Sequence, residues 1–411
     1  MNLFKNVVVY GVSNAWASGV SYFLILFLTL YISPEGIGKI TNFQYLGNLL
    51  LPLIGLSSIA SINREYFNAS IDFSKLLWQV AYLMFFTLAV LLCAGLITGD
   101  VISKYTALPI RYVGLALLFA FFFQTVETRL TVFRLRDKAK SFALWKFGRG
   151  ILEIAITVGA VLLISETWEW RIAGFLLANG ILFLIVLIGF LKTKYFAPDK
   201  LLIKKVLNYS LPLVPNALMA VAIGFTDKLF ITNYLGLGAN GIYSVAFQLG
   251  MIIALLQNSF NQAWAPWFYG EMSKEKTNYS QILKFSLVFV GIFFFACSVL
   301  VFIAPSLLSW LNKEFLTPRA VVIFIMAAFF FNGVYKVFVN YLFFYRETKT
   351  ILFITASSAI LNVILNALLV PTKGMIGAAL ATMFSFLFQM LLTASIVQVK
   401  YKLPWISIFR K

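Results

Sequence analysis

Histidine is absent from the 411 residues, cysteine occurs twice, and only 15 residues are acidic. Without imidazole, the chain has no histidine-based metal site, catalytic triad or proton relay. Cys93 and Cys297 lie in long apolar stretches, where cysteine behaves as a small apolar side chain. We therefore expect neither a metal site nor a resident cofactor.

Charge of either sign is also scarce, at 12% of residues, whereas 61% are hydrophobic. Soluble domains carry about 25% charged residues, so a soluble protein is excluded. Apolar stretches of about 20 residues recur along the chain, and in lipid such stretches form helices. We predict an all-α integral membrane protein of about 12 transmembrane helices. They are expected near residues 7–32, 38–62, 76–98, 108–132, 143–164, 171–191, 208–234, 239–263, 281–304, 319–345, 350–370 and 374–398.

The net charge of +18 predicts an orientation, because loops rich in Lys and Arg stay on the cytoplasmic side. Arg134, Arg136 and Lys138 follow the fourth predicted helix, and Lys192 follows the sixth. Both termini are therefore expected in the cytoplasm, and Arg171 falls in an external segment. Since the basic residues lie in short loops beside the helices, we expect them to contact anionic lipid headgroups and not nucleic acid.

The two halves of the sequence resemble each other at one constant offset. The matched pairs are Tyr31 with Tyr234, Gly38 with Gly241, Thr41 with Ser244, Gly174 with Gly377, and Ala178 with Ala381. We predict an N-terminal six-helix lobe over 1–200 and a C-terminal one over 201–411. Because each half begins and ends on the cytoplasmic side, the halves are expected to be parallel repeats, as in transporters that bind substrate between their halves.

Several motifs of the second half resemble bacterial polysaccharide flippases. They are Asp227-Lys228, the stretch 235–244, the stretch Phe260-Asn261-Gln262-Ala263-Trp264-Ala265-Pro266, and the pattern that runs from Asn362 and Asn366 through Pro371 and Gly374 to Thr382. These flippases, O-antigen (Wzx-type) flippases among them, belong to the multidrug/oligosaccharidyl-lipid/polysaccharide exporter superfamily. With twelve spans in two halves, the resemblance extends over the whole chain.

This resemblance implies a V-shaped pair of lobes around a central cavity and transport by alternating access. The implied substrate is an undecaprenyl-diphosphate-linked oligosaccharide, which is moved across the bacterial cytoplasmic (inner) membrane. It would serve the synthesis of O-antigen, capsule or a similar polysaccharide, with the polysaccharide polymerase machinery as a possible partner. The protein is then not an enzyme. Two alternatives are a cation-coupled multidrug exporter of the same superfamily and a membrane-embedded glycan polymerase or ligase. Polymerases and ligases of this kind usually have a larger external loop than any predicted in this sequence.

Each charged residue inside a predicted helix indicates a functional or structural role, because it costs at least ~2.5 kcal/mol at the centre of a bilayer. Lys146, Arg149 and Glu153 share one helical face, and Glu153 falls near the midplane. Arg149 could attract phosphate and Glu153 could bind a coupling proton or cation, or the two could pair and lock the helices together. Lys336 could hold phosphate or extend to the interface.

The remaining candidates are Asp227, Lys228 and a set of amides. Asp227 and Lys228 lie on an implied cavity helix, which favours a gating role, and Asp227 is a second candidate for ion coupling. The amides suit sugar hydroxyls, although hydrogen bonds between helices would explain them equally well. They are Asn14, Asn48, Asn258, Asn261 and Gln262. Asn362 and Asn366 are expected to join helices.

Overall fold

The computed structural model describes residues 3–66, 68, 71–194, 196–275 and 277–401, and the regular elements in these ranges are all helical. This confirms the all-α membrane fold. The α-helices are α1 Leu3–Leu28, α2 Pro34–Leu50, α3 Ile59–Glu65, α4 Phe73–Thr106, α5 Ile110–Leu135, α6 Ala139–Leu163, α7 Glu169–Leu191, α8 Lys200–Ser210, α9 Val214–Met272, α10 Tyr279–Leu311, α11 Arg319–Phe344 and α12 Thr348–Tyr401.

By length and composition, eight helical stretches of the described chain can cross a membrane, or nine when α2 and α3 count as one bent span. The sequence predicts about 12. The difference has two sources. The helix α6 contains Lys146, Arg149 and Glu153 and is too charged to qualify, while α9 and α12 each contain two of the predicted spans.

Both α9 and α12 reverse direction at a glycine with positive φ, Gly236 at 88° and Gly374 at 58°. In α9, the hydroxyl of Tyr243 donates to Asp227 Oδ2 at 3.0 Å although the two residues are 16 apart in sequence. A continuous helix would separate them by about 24 Å. In α12, a Cβ on Gly377 would lie 2.1 Å from the carbonyl oxygen of Leu369. Each helix is therefore a tight antiparallel pair.

The second predicted span, 38–62, is broken in the structure. The helix α2 ends at Leu50, a 3₁₀ turn covers Ile54–Ser57, and α3 leaves at 54° to α2. Pro52 lies in the break and has no N–H for a helical bond, while Gly55 and Leu56 have φ of 70° and 52°. The N–H of Gly55 instead donates to Thr87 Oγ1 of α4 at 2.8 Å.

Contacts divide the chain into two compact units. Residues up to Leu24 and Tyr31–Phe225 form unit 1, and Ile25–Leu30 with the residues from Thr226 onward form unit 2. The chain changes unit inside α1, again in the turn at Leu30–Tyr31, and a third time inside α9. The division into lobes at residue 200 stays a prediction.

Each unit has its own aromatic core. In unit 1, Phe119 of α5 lies 6.0 Å from Phe43 of α2 and 5.4 Å from Phe175 of α7, between ring centres. In unit 2, Phe268 of α9 lies 4.6 Å from Tyr341 of α11. Because lipid offers no hydrophobic drive between helices, close packing of this kind holds each unit together.

Two glycines matched by the repeat occupy the tightest helix contacts of their units. A Cβ on Gly174 of α7 would lie 2.2 Å from Thr157 Oγ1 of α6, and one on Gly377 would lie 2.1 Å from the Leu369 carbonyl oxygen. Real Cβ atoms do not approach so closely. The sequence repeat thus reflects a shared packing requirement of the last two helical segments in each half.

Candidate functional site

Three basic or acidic clusters lie inside the helices, and the first joins α5 to α6 in unit 1. Glu127 Oε1 accepts hydrogen bonds from Lys146 Nζ and Arg149 Nη1, both at 2.9 Å. Lys146 and Arg149 are three residues apart on α6, so both reach the same carboxylate. The Arg149 guanidinium also lies 4.7 Å from the ring centre of Phe123. Two cations share one acid, and the cluster carries a net positive charge.

Glu153 does not pair with Arg149, because Glu127 already holds that arginine. Its partner is Arg171 of α7, whose Nη1 lies 3.4 Å from Glu153 Oε2. Arg171 is fully buried, with its guanidinium 3.7 Å from the ring centre of Phe175. The sequence assigned Arg171 to an external segment, whereas the structure places it in the closing helix pair of unit 1, where it neutralises Glu153.

The second cluster surrounds Asp227 in unit 2, where four helical segments meet. Asp227 Oδ1 accepts from Asn366 Nδ2 at 2.9 Å, and its Oδ2 accepts from the hydroxyls of Tyr243 and Thr382. The carboxylate is fully buried. A buried ion is costly unless hydrogen bonds satisfy it, and here three neutral donors do so.

Lys228, the next residue, is also fully buried. Its Nζ lies 3.3 Å from the ring centre of Phe247 and 5.3 Å from that of Tyr243. A cation over an aromatic face is stabilised by the ring quadrupole, the more so away from water. Asp227 and Lys228 therefore both point into unit 2, and Tyr243 contacts both of them.

The third cluster links α11 to the second half of α9, again in unit 2. Lys336 Nζ donates to Asn258 Oδ1 at 2.8 Å and to Gln257 Oε1 at 3.2 Å. One turn further along, Asn340 Nδ2 donates to Asn261 Oδ1 at 2.9 Å. Lys336 is half-buried and Asn258 is exposed. Because the partners of Lys336 are neutral amides, its positive charge stays available to a ligand.

Three predicted residues lie outside these clusters. Asn14 of α1 and Asn48 of α2 are half-buried in unit 1, and Gln262 of α9 is exposed in unit 2. Within the described part of the chain, none of them hydrogen-bonds to a member of the three clusters. Asn362 and Asn366 bond to each other one turn apart, and Asn366 also reaches Asp227.

A family model described as "Polysaccharide biosynthesis protein" matches residues 3–272. The chain belongs to this family. The match covers all described residues of unit 1 and the whole of α9. It therefore includes the Glu127 cluster and Asp227 with Tyr243, but not Asn366 and Thr382 of α12.

Two curated proteins of Haemophilus influenzae support this membership. The "Lsg locus putative protein 1" is 23% identical over 85% of this chain and 87% of its own length. An "Uncharacterized membrane protein" is 21% identical over 88% of this chain and 89% of its own length.

Solved structures agree on the fold. A structure titled "Lipid II flippase MurJ, inward closed conformation" matches with a TM-score of 0.77 at 15% identity, over 96% of this chain and 87% of that one. An inward-facing multidrug resistance MATE family transporter of the MOP superfamily matches with a TM-score of 0.70 at 14% identity, over 94% and 96%. The family model thus assigns the chain to polysaccharide biosynthesis proteins, and the chain has the fold of the lipid II flippase and of the MATE transporter.

The sequence did not reveal several hydrogen-bond and ion-pair partners of the charged residues in this protein. These partners are Glu127, Asn340 and Tyr243, of which only Tyr243 falls within a motif of the sequence. The spacing of Lys146 and Arg149 was a usable signal for a shared acid on a neighbouring helix. Nothing in the sequence pointed to Asn340.

Proposed function

We propose that this protein flips an undecaprenyl-diphosphate-linked oligosaccharide across the bacterial cytoplasmic membrane by alternating access, for the synthesis of O-antigen, capsule or a similar surface polysaccharide. The observation that carries the proposal is the agreement between a polysaccharide-biosynthesis family and a fold shared with a protein titled a lipid II flippase. A lipid-linked saccharide is a substrate that would suit both a polysaccharide-biosynthesis protein and a flippase fold.

The chemistry of the clusters supports such a substrate. A diphosphate is bound best by cations that donate charge-assisted hydrogen bonds. The cluster of Glu127, Lys146 and Arg149 has one cation in excess, and Lys336 is held only by amides. We assign Arg149 and Lys336 to the diphosphate, and the neighbouring Asn258 and Asn261 to sugar hydroxyls, which need donors and acceptors without fixed charge. Asn14, Asn48 and Gln262 are further candidates for the glycan.

Asp227 is the stronger candidate for coupling transport to a proton or cation gradient. Its three hydrogen-bond donors are neutral, so a proton or a small cation would compensate the carboxylate. Glu153 is already neutralised by Arg171 and is the weaker candidate. Lys228, beside Asp227, would respond to any change of charge there and is assigned a gating role.

The test uses the full chain in proteoliposomes with a fluorescent undecaprenyl-diphosphate oligosaccharide and a quencher that cannot cross the membrane. Protein-dependent exposure of the label is expected, and Lys336→Gln and Arg149→Gln should slow it by about tenfold or more, the worth of one charge-assisted hydrogen bond. Lys284→Gln, at an exposed position of α10, is the control. No movement of the lipid-linked glycan, or normal surface polysaccharide in a deletion strain, would overturn the proposal.

A cation-coupled multidrug exporter is the second candidate, favoured by the similarity to MATE transporters and by the buried carboxylate of Asp227. Dye efflux from cells that express the chain separates the two. An exporter lowers dye accumulation and Asp227→Asn abolishes this effect, whereas the proposed flippase leaves dye accumulation unchanged.

A further inference from the structure

Unit 1 contains a groove that none of the three clusters uses. It lies between α4, α5 and α7 and has a volume of about 360 Å³, within the range of small-molecule sites. Most of its wall is apolar, with Phe85 of α4, Phe121 of α5, and Phe183 and Phe190 of α7 among the lining residues. Phe85 is about half exposed, at 49%, so the groove is open to the surroundings of the helices.

Two arginines line the same groove, Arg129 of α5 and Arg136 directly after its end. They are seven residues apart, which puts them on one helical face about 10 Å from each other. Both are exposed, and their guanidinium groups lie over Phe133 and Phe73 at 4.7 and 5.5 Å from the ring centres. Among the residues described, neither arginine forms an ion pair with a carboxylate. The groove thus has two positive charges that the protein does not neutralise.

Three polar lining residues mark one end of the groove, while Thr125, Thr128 and Arg129 lie further along α5. Ser74 is at the start of α4, Arg136 directly follows α5, and Thr193 lies just after α7. Phe85 is three helical turns further along α4, about 16 Å away by helical rise. A charged end therefore continues into an apolar channel long enough for a hydrocarbon chain.

The groove is independent of the proposed transport site. Glu127 and Arg129 are two residues apart on α5, so their side chains leave the helix about 200° apart. Glu127 binds Lys146 and Arg149 on α6, whereas Arg129 faces the groove.

We propose that this groove binds an anionic phospholipid of the membrane, with one acyl chain along the phenylalanine wall and the phosphate held by Arg129 and Arg136. A soluble anion would leave the apolar wall uncovered, and a neutral lipid would leave both arginines uncompensated. Arginine forms bidentate hydrogen bonds with phosphate, and basic residues beside a membrane helix attract anionic headgroups.

Native mass spectrometry of the full chain, released from nanodiscs of phosphatidylglycerol and phosphatidylethanolamine in equal amounts, tests the headgroup. The wild-type chain should retain phosphatidylglycerol preferentially, and Arg129→Gln/Arg136→Gln should reduce that preference by about tenfold or more. Arg134→Gln is the matched control, because Arg134 is an exposed arginine of the same helix that bonds to Asn63 Oδ1 and does not line the groove.

The acyl chain is tested by filling the groove. Gly189 lines it, and a Cβ there has no neighbour within 4 Å, so Gly189→Leu should fold normally and displace the lipid. Gly159 of α6 also has no neighbour within 4 Å and does not line the groove, which makes Gly159→Leu its control. Size-exclusion profiles establish that both variants are folded.

Three results would overturn the proposal. The first is equal retention of the two phospholipids by the wild-type chain. The second is an equal loss of phosphatidylglycerol in Arg134→Gln and in the double variant, which would indicate surface charge alone. The third is complete displacement of phosphatidylglycerol from the wild-type chain by an equal amount of undecaprenyl diphosphate, which would assign the groove to the substrate's carrier lipid. None of these results would decide whether the protein flips a glycan, which the proteoliposome assay measures separately.

Discussion

The closing helix pairs of the two units are packed alike and held by different chemistry. In unit 1, α6 and α7 meet at Gly174 and are joined by the ion pair of Glu153 and Arg171. In unit 2, the two halves of α12 meet at Gly377, and Asn366 and Thr382 from these halves both donate to Asp227 of α9. The first arrangement is neutral as it stands. The second contains a buried carboxylate whose hydrogen-bond donors are neutral and whose neighbour in the chain is the buried Lys228. Under our proposal this is the unit that responds to an ion.

The largest effect is expected when the ion pair of unit 1 loses its cation. Arg171→Met leaves Glu153 buried without a partner, and breaking a buried pair costs about 3–5 kcal/mol. Thermal unfolding of the purified chain should therefore shift to lower temperature. The double variant Arg171→Met/Glu153→Gln should recover most of the loss, since no charge is left uncompensated. A single variant as stable as the wild type would show that the pair does not hold α6 to α7.

In unit 2, removal of one donor to Asp227 should cost less. Tyr243→Phe deletes one hydrogen bond to a charged group, worth about 1.5–3 kcal/mol, and it leaves two donors in place. The control is Tyr234→Phe, at a tyrosine of α9 that is 56% exposed. If both variants unfold at the same temperature, the Asp227 cluster does not stabilise unit 2.

The matched glycines should differ in their tolerance of alanine. At Gly377 the new Cβ meets the Leu369 backbone, which cannot move away, whereas at Gly174 it meets the Thr157 hydroxyl, which can rotate. We expect Gly377→Ala to cost up to about 3 kcal/mol and Gly174→Ala about 1 kcal/mol. Thr157→Ala should remove the cost at Gly174. Equal costs in thermal unfolding would contradict the difference between backbone and side-chain contacts.

The smallest effect on stability is expected for two acidic residues that lie just before α8 and α12. Asp199 caps α8, and a hydrogen bond from Lys75 Nζ, 2.6 Å away, holds the pKa of Asp199 below its ordinary value of 3.8. A depressed pKa in the folded state means that the stabilisation is complete above the ordinary value and disappears as pH falls through the folded value. In unit 2, a hydrogen bond from Lys400 likewise lowers the pKa of Glu347.

Wild-type protein and the Asp199→Asn and Glu347→Gln variants should therefore differ by a constant small amount in thermal melts between pH 7 and pH 5. The difference should shrink only in more acid solution. A difference that grows as pH falls would contradict the sign of both pKa changes.

Much of the fold follows from local sequence. Long apolar stretches predict the helices because lipid permits no other backbone structure, and the matched glycines identify the repeat. The break after α2 was missed because hydrophobicity continues across Pro52 and Gly55. Pro52 and Gly55 are themselves signals of a helix break, but the apolar run around them favoured one continuous span.

Partners within the site were predicted less well, for a physical reason. A charge inside a helix shows that a partner is needed but not which helix supplies it. Glu153 had Arg149 one turn away, yet it pairs with Arg171, because Glu127 from α5 takes both basic residues of α6. Competition of this kind depends on the rotation of each helix about its axis, which a single sequence does not specify.

The chain passes between its two units three times: inside α1 after Leu24, in the turn at Leu30–Tyr31, and inside α9 after Phe225. Rigid bodies in most proteins are joined by loops, which rotate with little resistance. A helix resists bending because every turn is fixed by its own hydrogen bonds, and a sharp bend needs a proline or a similar defect. Of these three covalent links, the two inside α1 and α9 are therefore stiff, whereas the link at Leu30–Tyr31 lies in a turn.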